Sequence, residues 1–331
     1  MTPVDDGPGT SAVGREDADR LAAAWQDPKL ANVLYHDWEA STYDDKWSIS
    51  YDERCIRYAR ERFEHVAGTE NWPFERALEL GSGTGFFLLN CMQAGIARTG
   101  VLTDISPGMV AAAQRNGREL GLEVSGEVVD AEKLPFADES FDLVLGHAFL
   151  HHIPDVDQCL REVIRVLRPG GRFVFCGEPT RYGDAVARRL SRATWWAARR
   201  ITHLPGLRSA WARPIDELDA SSQAAALEAV VDLHTFDPAE LSRACRRAGA
   251  VAVRTVTEEL TAAWFGWPVR TFEAAVAPGR LGWGWAQFAY RSWLGLSWVD
   301  EHVLDHLVPA ALFYNVSVTG VRSVEGSAWR A

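Results

Sequence analysis

The sequence predicts an α/β protein built on a doubly wound parallel sheet, and three observations support this prediction. A buried-strand pattern at Ala77–Leu80 runs directly into a glycine-rich turn, which is followed by a helical pattern. From there to about residue 180, apolar runs alternate with helical patterns, as they do in chains of βαβ units. Acidic residues follow successive strands, and the carboxyl ends of parallel strands meet at one edge of a sheet. We therefore expect a ligand site at that edge.

Seven strands and four core helices can be placed from the polarity pattern. The strands are expected at Ala77–Leu80, Gly100–Thr103, Val124–Val129, Phe141–Leu145, Arg172–Cys176, Val251–Thr257 and Leu312–Thr319. The helices are expected near Phe86–Ala97, Pro107–Leu120, Asp157–Leu167 and Pro238–Ala248. The third of these helices should end at Arg168-Pro169-Gly170-Gly171, because proline and glycine stop helices.

The remaining segments surround this core as additions. Tryptophan marks the boundary, since none of the 14 lies between residues 73 and 194 and ten lie after 194. Two long insertions leave from the carboxyl ends of strands, so both should fold over the site. The expected organisation is a disordered tail at 1–19, a helical cap at 20–73, a cofactor-binding core at 74–180, a basic helical insertion at 181–235, a core helix and strand at 236–257, an aromatic-rich insertion at 258–311, and the final strand with a tail at 312–331.

The overall composition narrows the classes of partner. The net charge is −11 over 331 residues, which opposes nucleic-acid binding because phosphates require a basic surface. The five cysteines are scattered without a CxxC pair, so we expect a reduced protein without a structural metal. The chain has neither a signal-peptide pattern nor 18 consecutive apolar residues, which favours a cytoplasmic location.

The glycine-rich turn predicts a cofactor cradle. Gly81, Gly83 and Gly85 have no Cβ, so the backbone can take positive φ angles and let a ligand lie against its amides. A dinucleotide fingerprint would need its third glycine at the position of Phe86, and an acid, Glu79, stands two residues before the first glycine. The alternative for such a short pattern is a plain tight turn.

Two strand-end acids have the positions that a nucleoside would need. Asp104 ends the second strand, where a carboxylate can accept hydrogen bonds from two ribose hydroxyls. Asp130 and Ala131 follow the third strand, where a carboxylate can accept from an adenine amino group and an amide can donate to a ring nitrogen. An acid alone at a strand end is more often a helix cap or a turn residue. Their register with the glycine turn favours a nucleoside site.

An ordered set of motifs in this region resembles the class I S-adenosylmethionine-dependent methyltransferases, in particular the ubiquinone and menaquinone C-methyltransferases and the natural-product O-methyltransferases. The matching segments are Leu78-Glu-Leu-Gly-Ser-Gly-Thr-Gly85, Thr103-Asp-Ile-Ser-Pro-Gly-Met109, Asp130-Ala-Glu-Lys-Leu-Pro-Phe136, Ser140-Phe-Asp-Leu-Val144, Leu150-His-His-Ile-Pro-Asp155 and Leu160-Arg-Glu-Val-Ile-Arg-Val-Leu-Arg-Pro-Gly-Gly-Arg-Phe173. The resemblance covers residues 75–180. It implies a Rossmann-like, doubly wound, seven-stranded sheet with the last strand antiparallel and a helical cap.

The resemblance also implies S-adenosyl-L-methionine as cofactor and assigns residues to it. The methionine part would be held by Glu79 and the turn, with His147 beside it just past the fourth strand. The assigned cofactor residues are Tyr43, Glu79, Gly81, Ser82, Gly83, Thr84, Gly85, Asp104, Ile105, Met109, Asp130, Ala131 and His147.

Candidate acid–base residues follow the fourth and fifth strands. His151 and His152 are expected on the cofactor side, where an imidazole titrates near neutral pH, and relatives with this pair are thought to use it for proton transfer. Glu178 could orient a histidine or bind a substrate hydroxyl. The alternatives are a histidine that caps or packs under the loop, and a turn acid before Pro179.

Two further patterns have competing interpretations. His302 and His306 have the i, i+4 spacing of a metal site, but zinc normally needs three protein ligands, so an exposed helix face is expected and no metal. Residues 181–213 carry eight arginines and one aspartate, with an apolar stripe at Val186, Leu190, Ala193, Ala197, Ile201 and Leu204. This pattern suits either peripheral contact with an anionic membrane or a lid helix whose arginines face solvent.

The aromatic-rich insertion predicts a hydrophobic small-molecule acceptor, such as a lipid, an isoprenoid or a polyketide-like molecule, methylated on oxygen or carbon. Trp264, Trp267, Trp283 and Trp285 are assigned to its pocket. The alternative is that these rings pack on one another and leave a small polar pocket for a sugar or other polar metabolite. A protein or RNA methyltransferase and a non-catalytic cofactor-binding module are the other classes, and the oligomeric state is open.

Overall fold

The chain folds around one seven-stranded sheet, as the computed structural model of residues 23–40, 43–44, 49–213, 231–277 and 279–324 describes. The strand order is β3-β2-β1-β4-β5-β7-β6. The strands are β1 Phe74–Leu80, β2 Ala97–Asp104, β3 Val124–Val128, β4 Phe141–His147, β5 Leu167–Pro179, β6 Ala250–Glu258 and β7 Asn315–Arg322. The expected α/β fold with seven strands is confirmed.

Pairing within the sheet is parallel except at the last strand. β1 pairs in parallel with both β2 and β4, and β7 runs antiparallel between β5 and β6. Successive strands are added on one side of β1 up to β3 and on its other side from β4 onwards. Between β1 and β4 the loops from adjacent strands therefore diverge and leave a crevice. The ends of β1, β2 and β4 therefore meet at one edge, where the glycine turn begins.

Helices cover both faces of the sheet and extend beyond its carboxyl edge. They are α1 Pro28–Glu39, α2 Glu53–Ala67, α3 Phe86–Gln93, α4 Pro107–Glu119, α5 Val156–Val166, α6 Arg181–Thr202, α7 Arg208–Trp211, α8 Pro238–Arg247, α9 Thr261–Ala275 and α10 Trp283–Val299. Two buried apolar layers, one around Phe87 and Leu88 and the other around Phe141 and Leu160, pack against the two faces of the sheet. This burial holds the carboxyl edge rigid.

Polar caps fix where the helices nearest the site begin. Asp27 accepts from the amides of Lys29 and Leu30, and Asp52 does the same for Arg54 and Cys55. Ser106 and Asp155 cap α4 and α5. Such caps satisfy amides that have no partner within the helix.

Several element bounds differ from the sequence-based prediction. The helix at Phe86 ends at Gln93 instead of Ala97, because the chain turns there to start β2. The helix before β5 ends at Val166, and Arg168 to Gly171 belong to the strand, so the proline and glycines bend a strand instead of stopping a helix. The last strand lies three residues later than predicted, because Ala310–Leu312 forms a 3₁₀ turn.

The two insertions form a layer of three helices at the carboxyl edge. Helix α6 follows β5 and packs on α9, which follows β6 and packs in turn on α10. The face of α6 that is buried consists of small residues, Gly183, Ala187, Ala198 and Thr202. The predicted apolar stripe is not the packed face, since Ile201 is 56% exposed.

The described part of the chain has no helix long and apolar enough to cross a membrane. The expected disordered tail at 1–19 lies outside the described residues, and the domain bounds remain predictions.

Candidate active site

The glycine turn is shaped to receive a ligand. Gly81, Gly83 and Gly85 have φ angles of 58°, 51° and 90°, a region that L side chains rarely adopt. A Cβ on Gly81 would lie 2.5 Å from the Cβ of Phe149, so only glycine fits there. The hydroxyl of Ser82 is buried and has no hydrogen-bond partner among the described residues. These are features expected of a cradle whose polar ligand supplies the missing contact.

The strand-end acids face this turn. Asp104 accepts a hydrogen bond from the amide of Gly83 at 2.9 Å and another from the amide of Ser106 at 2.9 Å, which fixes its carboxylate at the cavity wall. Glu79 is 1% exposed beneath the turn, accepts from the amide of Leu88, and has its pKa raised well above the ordinary value by burial.

The N-terminal cap closes over the same turn. Lys29 forms ion pairs with Asp130 at 2.6 Å and with Glu132 at 2.5 Å. Asp37 accepts from the hydroxyl of Ser106 and the amide of Gly108, at 2.5 and 2.8 Å. The cap is therefore tied to the strand-end loops by charged groups, which brings its aromatic residues to the site.

Most of the residues assigned to the cofactor line one cavity. The residues that do so are Tyr43, Glu79, Gly81, Ser82, Gly83, Asp104, Ile105, Asp130, Ala131 and His147. Thr84, Gly85 and Met109 lie outside its wall. Thr84 donates its hydroxyl to Asp44, Gly85 caps α3, and Met109 is fully buried in α4. These three residues support the cradle from behind. Their roles, and those of the lining residues, remain predictions.

His151 is held by a buried carboxylate. Its Nδ1 lies 2.8 Å from the Oε2 of Glu178, which is 0% exposed. Glu178 also accepts the amides of Phe149, Leu150 and His151, so it is a structural anchor of the loop and not a turn acid. Burial opposes protonation of His151, but the hydrogen bond and charge of Glu178 outweigh it and raise its pKa.

His152 and Asp232 complete a polar cluster around His151. The rings of His151 and His152 lie 3.9 Å apart, and Asp232 lies 3.8 Å from Nε2 of His151. Burial and the neighbouring His151 lower the pKa of His152 well below its ordinary value, and its Nδ1 contacts the carbonyl of Val231. Ligand atoms of the three residues lie within 4.8 Å of one another, close enough to hold a metal ion. The guanidinium of Arg188 lies 3.7 Å from Asp232 and opposes a cation there.

His147 belongs to another polar group. It ends β4 instead of following it, and its Nε2 lies 3.2 Å from the hydroxyl of Tyr58. Burial, together with the charge of Arg62, lowers the pKa of His147 to about 4. Arg62 pairs with Glu258 and with Glu259 at 2.6 Å, so α2 is joined to the end of β6.

The cavity continues from the cradle into the aromatic insertion. Its volume is about 1620 Å³, and both α9 and α10 contribute to its wall. Of the four assigned tryptophans, only Trp267 lines it. Trp264 and Trp283 point outward, 40% and 78% exposed, and Trp285 donates to Glu273. The aromatic residues that α9 and α10 contribute to the cavity wall are Phe265, Trp267, Tyr290, Trp293 and Trp298.

Several residues of the site were missed by sequence reasoning. Lys29, Asp37 and Asp232 carry no local signal, because each meets its partners only through the fold. Arg62 does have a local signal, because its position lies on the apolar face of α2 together with Ala59 and Val66. The histidine pair at 302 and 306 is not part of a metal cluster among the described residues, and His302 stacks on Trp298.

Comparisons with known proteins agree with this geometry. Residues 78–175 match the family model described as methyltransferase domain. The chain is 36% identical over 178 residues to malonyl-[acyl-carrier protein] O-methyltransferase of Methylococcus capsulatus, covering 50% of this chain and 62% of that protein. It is 36% identical over 138 residues to demethylmenaquinone methyltransferase of Thermobifida fusca, covering 40% and 58%. The chain thus spans about three fifths of the length of these relatives.

Similarity to a solved structure supports the fold, and only the fold. A putative sarcosine dimethylglycine methyltransferase from Galdieria sulphuraria superposes with a TM-score of 0.52 at 12% identity, covering 86% of this chain and 98% of that one. The sheet order, the glycine cradle and the family match lead to one conclusion. Residues 78–175 form a methyltransferase domain of the class I S-adenosylmethionine-dependent family, with S-adenosylmethionine as the cofactor.

Proposed function

We propose that this protein transfers a methyl group from S-adenosylmethionine to oxygen or carbon of a small hydrophobic acceptor, such as a lipid, an isoprenoid or a polyketide-like molecule. The observation that carries the proposal is the continuous cavity from the glycine turn to the aromatic wall of α9 and α10. Its volume of about 1620 Å³ exceeds the range of roughly 300–1,000 Å³ that holds one drug-sized ligand. The cavity thus has room for a cofactor and an acceptor together.

Each end of the cavity would have its own task. At the cradle, Asp104 would accept from the ribose, Asp130 would face the adenine, and Ser82 would use its unpartnered hydroxyl. The cofactor supplies an electrophilic methyl group on a sulfonium. At the other end, Trp267 and Trp293 would hold the apolar part of the acceptor and exclude water.

His151 is the proposed general base. Glu178 occupies its Nδ1, so Nε2 is the nitrogen left to take a proton from an acceptor hydroxyl or an acidic carbon. The carboxylate also stabilises the imidazolium that forms. His152, kept neutral by burial and by its neighbour, would shape the pocket beside His151. A relative named for demethylmenaquinone supports a small acceptor. The relative named malonyl-[acyl-carrier protein] O-methyltransferase acts instead on an acyl group that a protein carries.

A polar metabolite such as a sugar is the second candidate. The specific observation that favours it is the polar part of the cavity wall, to which Tyr58, Arg62 and Glu259 contribute. We favour the hydrophobic acceptor because Arg62 is already paired with two carboxylates, which leaves its guanidinium little capacity for a ligand.

The proposed location is cytoplasmic, with peripheral membrane contact through residues 181–213. The arginines of α6 lie on its exposed side, and Trp196 is 65% exposed among them. The guanidinium of Arg200 lies 5.5 Å from the ring of Trp196, a pairing of charge and aromatic surface that suits an anionic interface.

Labelled methyl groups test the proposal. The protein is incubated with methyl-labelled S-adenosylmethionine and a cell extract separated into lipid, polar-metabolite, protein and RNA fractions. We expect label in the lipid fraction, and much less of it with His151→Asn. Label in the polar metabolites supports the sugar-like alternative, and label in protein or RNA indicates a macromolecular acceptor. Calorimetric cofactor binding without any labelled product would mean a non-catalytic binding module.

A further inference from the structure

Helix α10 is an apolar helix that the fold leaves without a full set of partners. It has 17 residues, none of them buried, and Arg291 is its one charged residue. An amphipathic helix of a soluble protein normally buries one face and exposes charges on the other. Here Phe288 and Trp298 remain 54% and 57% exposed.

Three sides of α10 can be distinguished by their contacts. Ala286, Tyr290 and Trp293 recur at helical spacing and line the cavity. Trp285 lies on the side towards α9, where its ring is 5.3 Å from that of Phe272. The third side carries Phe288, which is 54% exposed although its ring also lies 6.0 Å from that of Phe265 on α9.

The exposed large apolar side chains of the described residues are concentrated in the insertions. Among the described residues, twelve of the eighteen exposed large apolar side chains lie within 181–235 or 258–311. Those on α10 are Trp283, Phe288, Leu294 and Trp298. We call these four residues the α10 patch. A patch of this kind on a soluble protein marks an interaction surface.

The α10 patch also reaches the mouth of the cavity. Leu294 and Trp298 are 42% and 57% exposed and at the same time line the cavity. A side chain can do both only where the cavity opens to the outside. The opening of the cavity at these residues is therefore rimmed by the apolar patch.

The charge of the neighbouring helix α6 indicates what the α10 patch binds. Helix α6, which packs on α9 beside α10, exposes arginines in a protein whose net charge is −11. Tryptophan stands near both ends of α10, at 283 and 298, with apolar residues between. Tryptophan is enriched where proteins meet the membrane–water interface, and nearby arginines favour anionic lipids.

We propose that the α10 patch docks on an anionic phospholipid bilayer and that the acceptor enters the cavity directly from the membrane between Leu294 and Trp298. This inference rests on the proposed function for the identity of the acceptor as a membrane-dissolved molecule. The docking itself does not, because it depends only on the exposed surface of α10 and α6.

Flotation with vesicles tests the docking. Full-length protein is floated with vesicles of phosphatidylcholine alone and of phosphatidylcholine with phosphatidylglycerol. We expect binding to the anionic vesicles, reduced by high salt, because screening weakens the contribution of arginine. The double variant Trp283→Gln/Phe288→Gln should lose binding about tenfold or more, since two large apolar side chains no longer insert.

The matched control is Trp25→Gln/Trp38→Gln, which removes two tryptophans that are 49% and 62% exposed on the N-terminal cap. It should float like the unchanged protein. All four substituted side chains are exposed and none lines the cavity. Because the ring of Phe288 also contacts those of Phe265 and Trp285, the melting temperatures of both variants are measured alongside.

Three results would overturn the docking. They are no flotation of the unchanged protein, equal flotation of both double variants, or sedimentation that shows concentration-dependent self-association covering α10.

Entry of the acceptor from the membrane is tested with two compounds. One is a hydroquinone that carries an isoprenoid chain, supplied in vesicles, and the other is the same ring without its chain, supplied in solution. The Trp283→Gln/Phe288→Gln variant should be slower only on the vesicle-bound compound, and equal rates would refute the entry route. If neither compound is methylated while flotation still succeeds, the proposed acceptor is wrong and the docking stands.

Discussion

Helices α5 in the core and α10 in the insertion both lie between two strands of the sheet, but they use their apolar residues in opposite ways. Helix α5 has 11 residues and buries Cys159, Leu160, Val163 and Val166 against the sheet. Helix α10 has 17 residues and buries none. The core helix uses its apolar residues to stabilise the fold, whereas those of the insertion remain available to a ligand or a surface.

This contrast predicts different effects for substitutions at the glycine cradle and for substitutions at the aromatic wall. Changes at the cradle should affect the reaction with every acceptor equally, because all acceptors share the cofactor. Changes at the aromatic wall should affect acceptors according to their apolar length. The following predictions test that separation, beginning with the largest expected effect.

Replacing Asp104 by Ala should abolish measurable cofactor binding. The carboxylate would lose its bonds to the ribose and its hold on Gly83, and each charge-assisted bond contributes about 1.5–3 kcal/mol. Calorimetry with S-adenosylmethionine measures the loss. The control is Asp142→Ala, which also removes two bonds to backbone amides but at the far end of β1. Unchanged affinity in Asp104→Ala would show that the ribose binds elsewhere.

Replacing His151 by Asn should lower kcat about 10²–10⁴-fold, because general-base catalysis contributes about that much. The neutral form of His151 is the active one, so kcat/KM should rise with pH through a pKa that Glu178 raises above the ordinary histidine value. Glu178→Gln removes that charge, so this limb of the pH profile should move to lower pH. A profile that does not move would exclude His151 as the base.

Replacing Trp267 by Ala should raise KM for a long-chain acceptor about tenfold or more, because burial of a large apolar side chain contributes about 1.5–3 kcal/mol. KM for a short analogue should change little. Trp264→Ala is the matched control, since Trp264 lies on the same helix but outside the cavity. Equal effects of the two variants, or equal effects on both acceptors, would argue for a structural role and a polar acceptor.

Replacing Lys29 by Met should weaken cofactor affinity less than about fivefold. Its ion pairs with Asp130 and Glu132 tie the cap to the cradle, but the side chain is 34% exposed, and such pairs contribute about 0–1 kcal/mol. Lys133→Met, an exposed lysine on the neighbouring loop, is the control. Tighter binding in Lys29→Met would instead mean that the lysine competes with the adenine for Asp130.

The parts of this protein that its sequence determined are those with local chemical requirements. Left-handed backbone angles demand glycine at 81, 83 and 85, and the carboxylate of Asp104 has to follow a strand at a fixed distance from them. Apolar runs and alternating polarity predicted the existence of all seven strands, although the last one lies three residues later than predicted. These requirements are met within short segments, so they can be predicted before folding is considered.

Tertiary structure decided the rest. Arg62 meets Glu258 and Glu259 across nearly 200 residues of chain, and Lys29 meets Asp130 in the same way. Trp264 and Trp267 stand three positions apart on one helix, yet only Trp267 faces the cavity. Which side of a helix is enclosed depends on how α6, α9 and α10 pack, and that packing is set by long-range contacts that no local pattern specifies.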